Sequence, residues 1–220
     1  MGSVNIFAGG YGSGKSEITV NFALQESESA GNVTLADLDL VNPFFASRDV
    51  RGKLLESGIR LLAPRAELAG SDIPHLPPEI IAVLREESTL FIDMAGDEPG
   101  ARLLGYLGPF IRQRDFDLLL VVNPFRPFSE CLAGIQEIKE RFERTSLLHF
   151  NGLISNPNLL EETVLDTIVE GHSRVVDWSR KLELPIKHLT VAQTFYDRLP
   201  PDLKGVARPL QIYLRPDWLR

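Results

Sequence analysis

Residues Gly9-Gly10-Tyr11-Gly12-Ser13-Gly14-Lys15-Ser16 read G-x-x-x-x-G-K-S and follow a short apolar run, Val4–Ala8. Each residue type in that pattern has a task on a phosphate. Glycines let the backbone turn its N–H groups inward around an anion, in conformations that other residues resist. Lys15 then reaches the β- and γ-phosphates, and the Ser16 hydroxyl ligates Mg²⁺. Gly10, Gly12, Ser13, Gly14 and Glu17 complete the cradle. The stretch 17–24 carries apolar residues near helical spacing. A helix starting at the end of the loop aims its N-terminal dipole at the bound anion. With a strand before and a helix after, the pattern predicts a nucleoside triphosphate site.

Two acidic segments are candidates for the remaining chemistry. Asp37 and Asp39 stand two apart at the end of the second apolar run. One of them is expected to orient an attacking water or to hold Mg²⁺ through water. A solvated pair capping the next helix is the alternative. Phe91-Ile92-Asp93-Met94-Ala95-Gly96-Asp97 is an apolar strand ending in Asp, the arrangement that sets a carboxylate beside the Mg²⁺ of a bound triphosphate. The Gly96 N–H is a candidate contact to a γ-phosphate, and Asp97 is a second candidate for positioning water. Asn156, in Ser155-Asn156-Pro157-Asn158, is placed to read the edge of adenine, or simply starts a turn before Pro157. No Asp follows at the N-K-x-D spacing that marks guanine recognition, which favours ATP over GTP.

The elements that must hold these groups alternate along the chain. Apolar runs at Val4–Ala8, Val33–Ala36, Gly58–Leu62, Thr89–Ile92, Leu118–Val122, Gly152–Ile154 and Ile186–Val191 read as buried strands. Helices are expected at Lys15–Ser29, Pro78–Glu86, Gly100–Arg114, Ser129–Thr145 and Glu161–Leu182. Strand–helix alternation predicts a three-layer α/β/α sandwich with a mostly parallel sheet. Ligands in such folds sit outside the carboxyl ends of the strands, where the groups above lie. Ala63–Pro78 reads as a surface excursion, and the end from Pro209 as a final strand or docked tail. No composition break divides the 220 residues, so one domain is expected.

Composition narrows the function classes. A net charge of −7 argues against a dedicated nucleic-acid surface, which carries a basic stripe. No apolar stretch approaches the roughly 20 residues of a membrane span, and no signal peptide is evident. The single Cys131 excludes an intrachain disulfide and fits a reducing cytoplasm, the expected location. It lies in a helix-like stretch where a buried thiol is expected. Four scattered histidines, His75, His149, His172 and His188, give no metal-ligand spacing. Trp178 and Trp218 are expected to pack.

Together the segments 9–23, 33–43 and 93–97 resemble the deviant P-loop ATPases of the SIMIBI class, the MinD/ParA and nitrogenase iron protein group (CobQ/CobB/MinD/ParA nucleotide-binding domains). Gly9–Ala23 is similar to their P-loop and its helix, Val33–Pro43 to their switch I, and Asp93-Met-Ala-Gly96-Asp97 to the D-x-x-G-D of switch II. The resemblance implies that Lys15 binds phosphate, Ser16 coordinates Mg²⁺, Asp39 orients the hydrolytic water, Asp93 holds a magnesium-bound water and Asn156 binds adenine. It further implies a Mg²⁺-ATP-dependent homodimer whose hydrolysis resets a switch on a protein partner. One position departs from the pattern: the family's signature lysine follows the first glycine of the loop, and here Gly10 stands there. Arg48 or Arg65 is a candidate substitute, since guanidinium matches phosphate geometry. Only one cysteine is present, against the two per subunit of a bridging iron–sulfur cluster.

Three functions stay open at this level. The first is a Mg²⁺-dependent ATPase working as a switch on a protein partner. The second is an ATP-dependent small-molecule enzyme of the dethiobiotin synthetase or cobyrinate amidase kind, with an arginine from Pro124-Phe125-Arg126-Pro127-Phe128 meeting an anionic substrate. The third is a module that binds ATP with little turnover.

Overall fold

The computed structural model describes residues 2–29, 31–39, 50–63, 76–127 and 129–214. Eight strands form one sheet: β1 (Val4–Ala8), β2 (Val33–Leu38), β3 (Arg60–Leu62), β4 (Thr89–Met94), β5 (Phe116–Val122), β6 (Gly152–Ser155), β7 (Ile186–Ala192) and β8 (Ala207–Leu210). Their order is β3-β2-β4-β1-β5-β6-β7-β8, and every neighbouring pair is parallel. The expected three-layer fold with a mostly parallel sheet is observed, and among the described strands the sheet is wholly parallel. That arrangement requires a crossover between neighbours and apolar residues on both faces of the central strands.

Alternation along the strands sorts the core into two layers. Ile6, Ile92 and Leu120 face one side, where they pack with Leu104 and Leu107 of α4 (Glu98–Ile111), Ile135 and Phe142 of α5 (Leu132–Ser146) and Val175 of α6 (Leu165–Leu182). The short α3 (Ile80–Leu84) joins the same layer. Phe7, Leu35, Phe91 and Ile154 face the other side, against Ile18, Phe22 and Leu24 of α1 (Lys15–Ser27) and Leu54 of α2 (Arg51–Glu56). Two short helices, α7 (Gln193–Tyr196) and α8 (Pro201–Lys204), lead into β8. Pro209 sits on that outermost strand, where a missing N–H costs no ladder bond.

β2 runs two residues beyond its expected end, so Asp37 lies within the strand. Cys131 is exposed at the N-cap of α5, not buried: the helix begins one residue later, so the thiol never enters its apolar stripe. Trp178 packs against the core with the Arg174 guanidinium over its ring. Arg48, Arg65, His75, Trp218, residues 40–43 and most of 63–78 lie outside the described residues.

At the amino ends of the strands, His188 packs edge-on to Phe22 with ring centroids 5.2 Å apart. Burial, then the neighbouring Arg208 cation, hold its pKa down to about 4 from 6.5, with Asp117 opposing and Lys187 adding slightly. The folded state therefore binds fewer protons here than the unfolded chain. This contribution to stability is complete above pH 6.5 and is lost as pH falls from 6.5 towards 4. After allowance for the partial exposure of the ring it amounts to about 1–2 kcal/mol. Urea unfolding of His188→Gln should show a shallower loss of stability over that interval than the parent chain.

Candidate functional site

The loop between β1 and α1 is shaped by close backbone approaches. Gly12 and Gly14 have φ of 71° and 93°, left-handed values that a side chain resists. A Cβ on Gly14 would overlap the Asn156 amide nitrogen, and one on Gly9 would overlap the Val121 carbonyl oxygen. Gly14 caps α1, and the first helical bond runs from Ile18 N to Gly14 O at 3.0 Å. The N–H groups of Lys15, Ser16 and Glu17 thus stand in the first turn of α1, the end of a helix that favours an anion. Lys15 is buried, and its Nζ donates to Gly10 O at 3.2 Å, which folds the ammonium back over the loop.

The acidic groups converge on the same end of the sheet. Asp37 and Asp93 are register partners on β2 and β4, and Phe7 of β1 is the next partner of Asp93. Parallel register puts all three on one face, the face that carries α1. Both carboxylates are fully buried there. Asp39 is nearly buried, its N–H donates to Asp37 Oδ1 at 3.3 Å, and it lines the cavity described below. Asp97 is the N-cap of α4, its Oδ1 accepting from Gly100 N at 2.9 Å; like Asp37 and Asp93 it is not among the cavity-lining residues. Gly96 packs so tightly on the loop that a Cβ would overlap the Gly9 carbonyl oxygen. The segment after β4 is thus braced directly on the phosphate loop.

A cavity of about 560 Å³ opens over these groups, within the range of small-ligand sites. Its polar end is made by Tyr11, Gly12, Gly14, Lys15, Ser16 and Asp39. From there it extends past Asn123 and Arg126 after β5, then Asn156 after β6, Ala192 at the end of β7 and Leu210 at the end of β8. It therefore runs along the carboxyl edge of the sheet in strand order.

Several side chains take roles that the sequence alone did not specify. Asn156 spends its amide on the protein: Nδ2 donates to Ser13 O at 2.7 Å and Oδ1 accepts from Thr190 Oγ1 at 2.9 Å. It ties the phosphate loop to β6 and β7. The Glu17 carboxylate accepts from Tyr213 N at 2.8 Å and Leu214 N at 3.0 Å, so its side chain holds the chain after β8. The partly exposed Tyr213 phenol has its pKa raised by desolvation first and then by Glu17 and Glu28, and stays neutral near pH 7. Arg126 lies beside Gly12, and its Nε is buried without a hydrogen-bond partner. The arginine expected to meet an anion is thus on the cavity wall, one strand from the loop.

The donor set fits a magnesium-bound nucleoside triphosphate. Ser16, Asp37, Asp39 and Asp93 offer hard oxygen, the preference of Mg²⁺. Among the described residues no three of His, Cys, Asp or Glu gather as a self-sufficient metal site. Two buried donors at the loop, Ser13 Oγ and Arg126 Nε, have no protein partner to satisfy them, as expected beside an anion. No described helix is long and apolar enough to cross a membrane.

No protein-family model matches the chain, and no curated protein does. Solved structures do. FtsY from Mycoplasma mycoides is similar at 14% identity and a TM-score of 0.56, over 87% of this chain and 60% of that one. The Signal Recognition Particle 54 kDa protein from Aeropyrum pernix, in complex with GDP, gives 18% and 0.55, over 86% and 41%. This chain therefore spans about half of those two proteins. The septum site-determining protein MinD from Pyrococcus horikoshii, complexed with Mg-ADP, gives 18% and 0.57 over 93% of this chain and 91% of its own. At such identities the likeness speaks for the fold, and the fold is the layered α/β fold of the P-loop NTPases.

Proposed function

We propose that the chain binds Mg²⁺-ATP in this cavity and hydrolyses it, passing between nucleotide states as a switch on a protein partner. One observation carries the reading: the glycine loop, Lys15, Ser16 and Asp39 line one end of a cavity of nucleotide size, and the register-paired Asp37 and Asp93 are buried at the same end of the sheet. Lys15 would leave the Gly10 carbonyl for the β- and γ-phosphates, joined by the N–H groups of Gly12, Ser13, Gly14, Ser16 and Glu17. Ser16 would ligate Mg²⁺ directly, with Asp37 and Asp93 holding its water molecules. When bound, the cation would offset the negative charge shared by the β- and γ-phosphates. Asp39, on the cavity wall, would orient the attacking water. Arg126 would supply a phosphate contact from the same chain, a charge that Gly10 cannot.

Two features bear on the nucleotide and on assembly. The third residue after Asn156 is Leu159, so no carboxylate stands where a guanine edge would need it, which supports ATP. The MinD structure named above contains Mg-ADP, and a homodimer closing over the nucleotide would bring the exposed Tyr11 at the loop into its interface.

Lys15→Ala should weaken ATP binding by about 10- to 100-fold, the loss of a charged hydrogen bond to phosphate, as read by titration calorimetry. Unchanged affinity overturns the reading. Asp39→Ala should keep ATP affinity and slow phosphate release by about a hundredfold or more, measured at saturating Mg²⁺-ATP. Gel filtration with and without Mg²⁺-ATP should show a shift to dimer, and competition with GTP should leave ATP bound.

A further inference from the structure

The chain after β8 turns back along α1 and is fastened there by a stripe of side chains. Glu17, Asn21 and Gln25 stand four residues apart, so they share one face of the helix. Gln25 Nε2 donates to Pro209 O at 2.8 Å. Asn21 donates to Gln211 O and accepts from Gln211 N, both at 2.8 Å. Glu17 accepts the next two amides, Tyr213 N and Leu214 N. The helix face thus pairs with residues 209–214 much as a neighbouring strand would. Every second residue of this strap, Leu210, Ile212 and Leu214, lines the cavity. The intervening Gln211 and Tyr213 are absent from the lining and bond to each other through their side chains at 2.7 Å.

The alternation has a chemical result. The cavity has a polar end at the loop, with Lys15 and Arg126, and an aliphatic wall made by Leu210, Ile212 and Leu214, with Leu159, Leu160, Glu161 and Glu162 from the segment after β6 also on its lining. A nucleotide has the same polarity: charged phosphates at one end, and a planar base with apolar faces at the other. Aliphatic side chains favour such a face by removing it from water.

We propose that the strap is the nucleoside wall of the site, with Ile212 and Leu214 as base-contacting, affinity-determining residues. This rests on the reading that a nucleoside triphosphate occupies the cavity. The wall is positioned by Glu17, one peptide bond from the Ser16 that serves the phosphate end. Asn156, whose amide is already used between Ser13 and Thr190, acts as a positioning residue for the loop. The base is then held by shape and burial, not by that amide.

The test compares ATP with inorganic tripolyphosphate, each with Mg²⁺, by titration calorimetry on the full chain. Ile212→Ser combined with Leu214→Ser should weaken ATP by about tenfold or more, from the lost burial of two aliphatic side chains. Tripolyphosphate, which has no base, should bind the variant and the parent alike. Equal ATP affinity in variant and parent overturns the wall assignment. An equal loss of both ligands also overturns it, because the strap would then act on the loop or the fold and not on the base. The result is separable from the previous reading. If the parent chain binds neither ATP nor tripolyphosphate, the nucleotide site itself is refuted and the wall with it. If the parent binds both, only the behaviour of the strap variant is in question.

Discussion

The structure depends on how closely backbones approach one another at the phosphate loop. Three glycines leave no room for a Cβ there: Gly9 against the Val121 carbonyl, Gly96 against the Gly9 carbonyl and Gly14 against the Asn156 amide. The loop is therefore held from β4, β5 and β6 at once, and its own left-handed residues keep its N–H groups turned inward. Because interiors are close-packed and yield in discrete steps, such a clamp shares displacement among its members. A shift of Gly96 is felt at Gly9, and a shift of Asn156 is felt at Ser13. Contacts of this kind give the loop a mechanical route to the rest of the sheet.

Burial of charge at the site follows from the same packing. Lys15, Asp37 and Asp93 are removed from water at the carboxyl end of the sheet, an expensive position for ions unless they are paired or coordinated. The two aspartates share one face through register and parity, not through long flexible side chains. Precision is thereby built into β1, β2 and β4, which the two apolar layers hold rigidly.

Much of this was legible in the sequence, for a physical reason. The loop, its strand and helix, and the aspartates at strand ends are local patterns, set by backbone geometry and periodicity within a few residues. The strands were readable because a doubly covered parallel sheet needs continuous apolar runs. What escaped was set by contacts between distant residues. Asn156 bonds the Ser13 carbonyl across 143 positions, and Glu17 takes the Leu214 amide across 197. Neither bond leaves a mark in its own neighbourhood, so the bracing by Asn156 and the fastening by Glu17 were not legible. The capping of α4 by Asp97 does have a local signature, an Asp three residues before the Gly100 amide.

The strap has a consequence in the timing of synthesis. The phosphate end of the cavity is encoded before residue 127, whereas the aliphatic end needs Leu210, Ile212 and Leu214. The Asn156 amide that braces the loop is made some thirty residues after that phosphate end, and the strap more than fifty residues later again. Long-range closure of this sort is slow compared with local folding. The stripe Glu17, Asn21 and Gln25 is thus among the first parts of the chain to be made and among the last to find its partners.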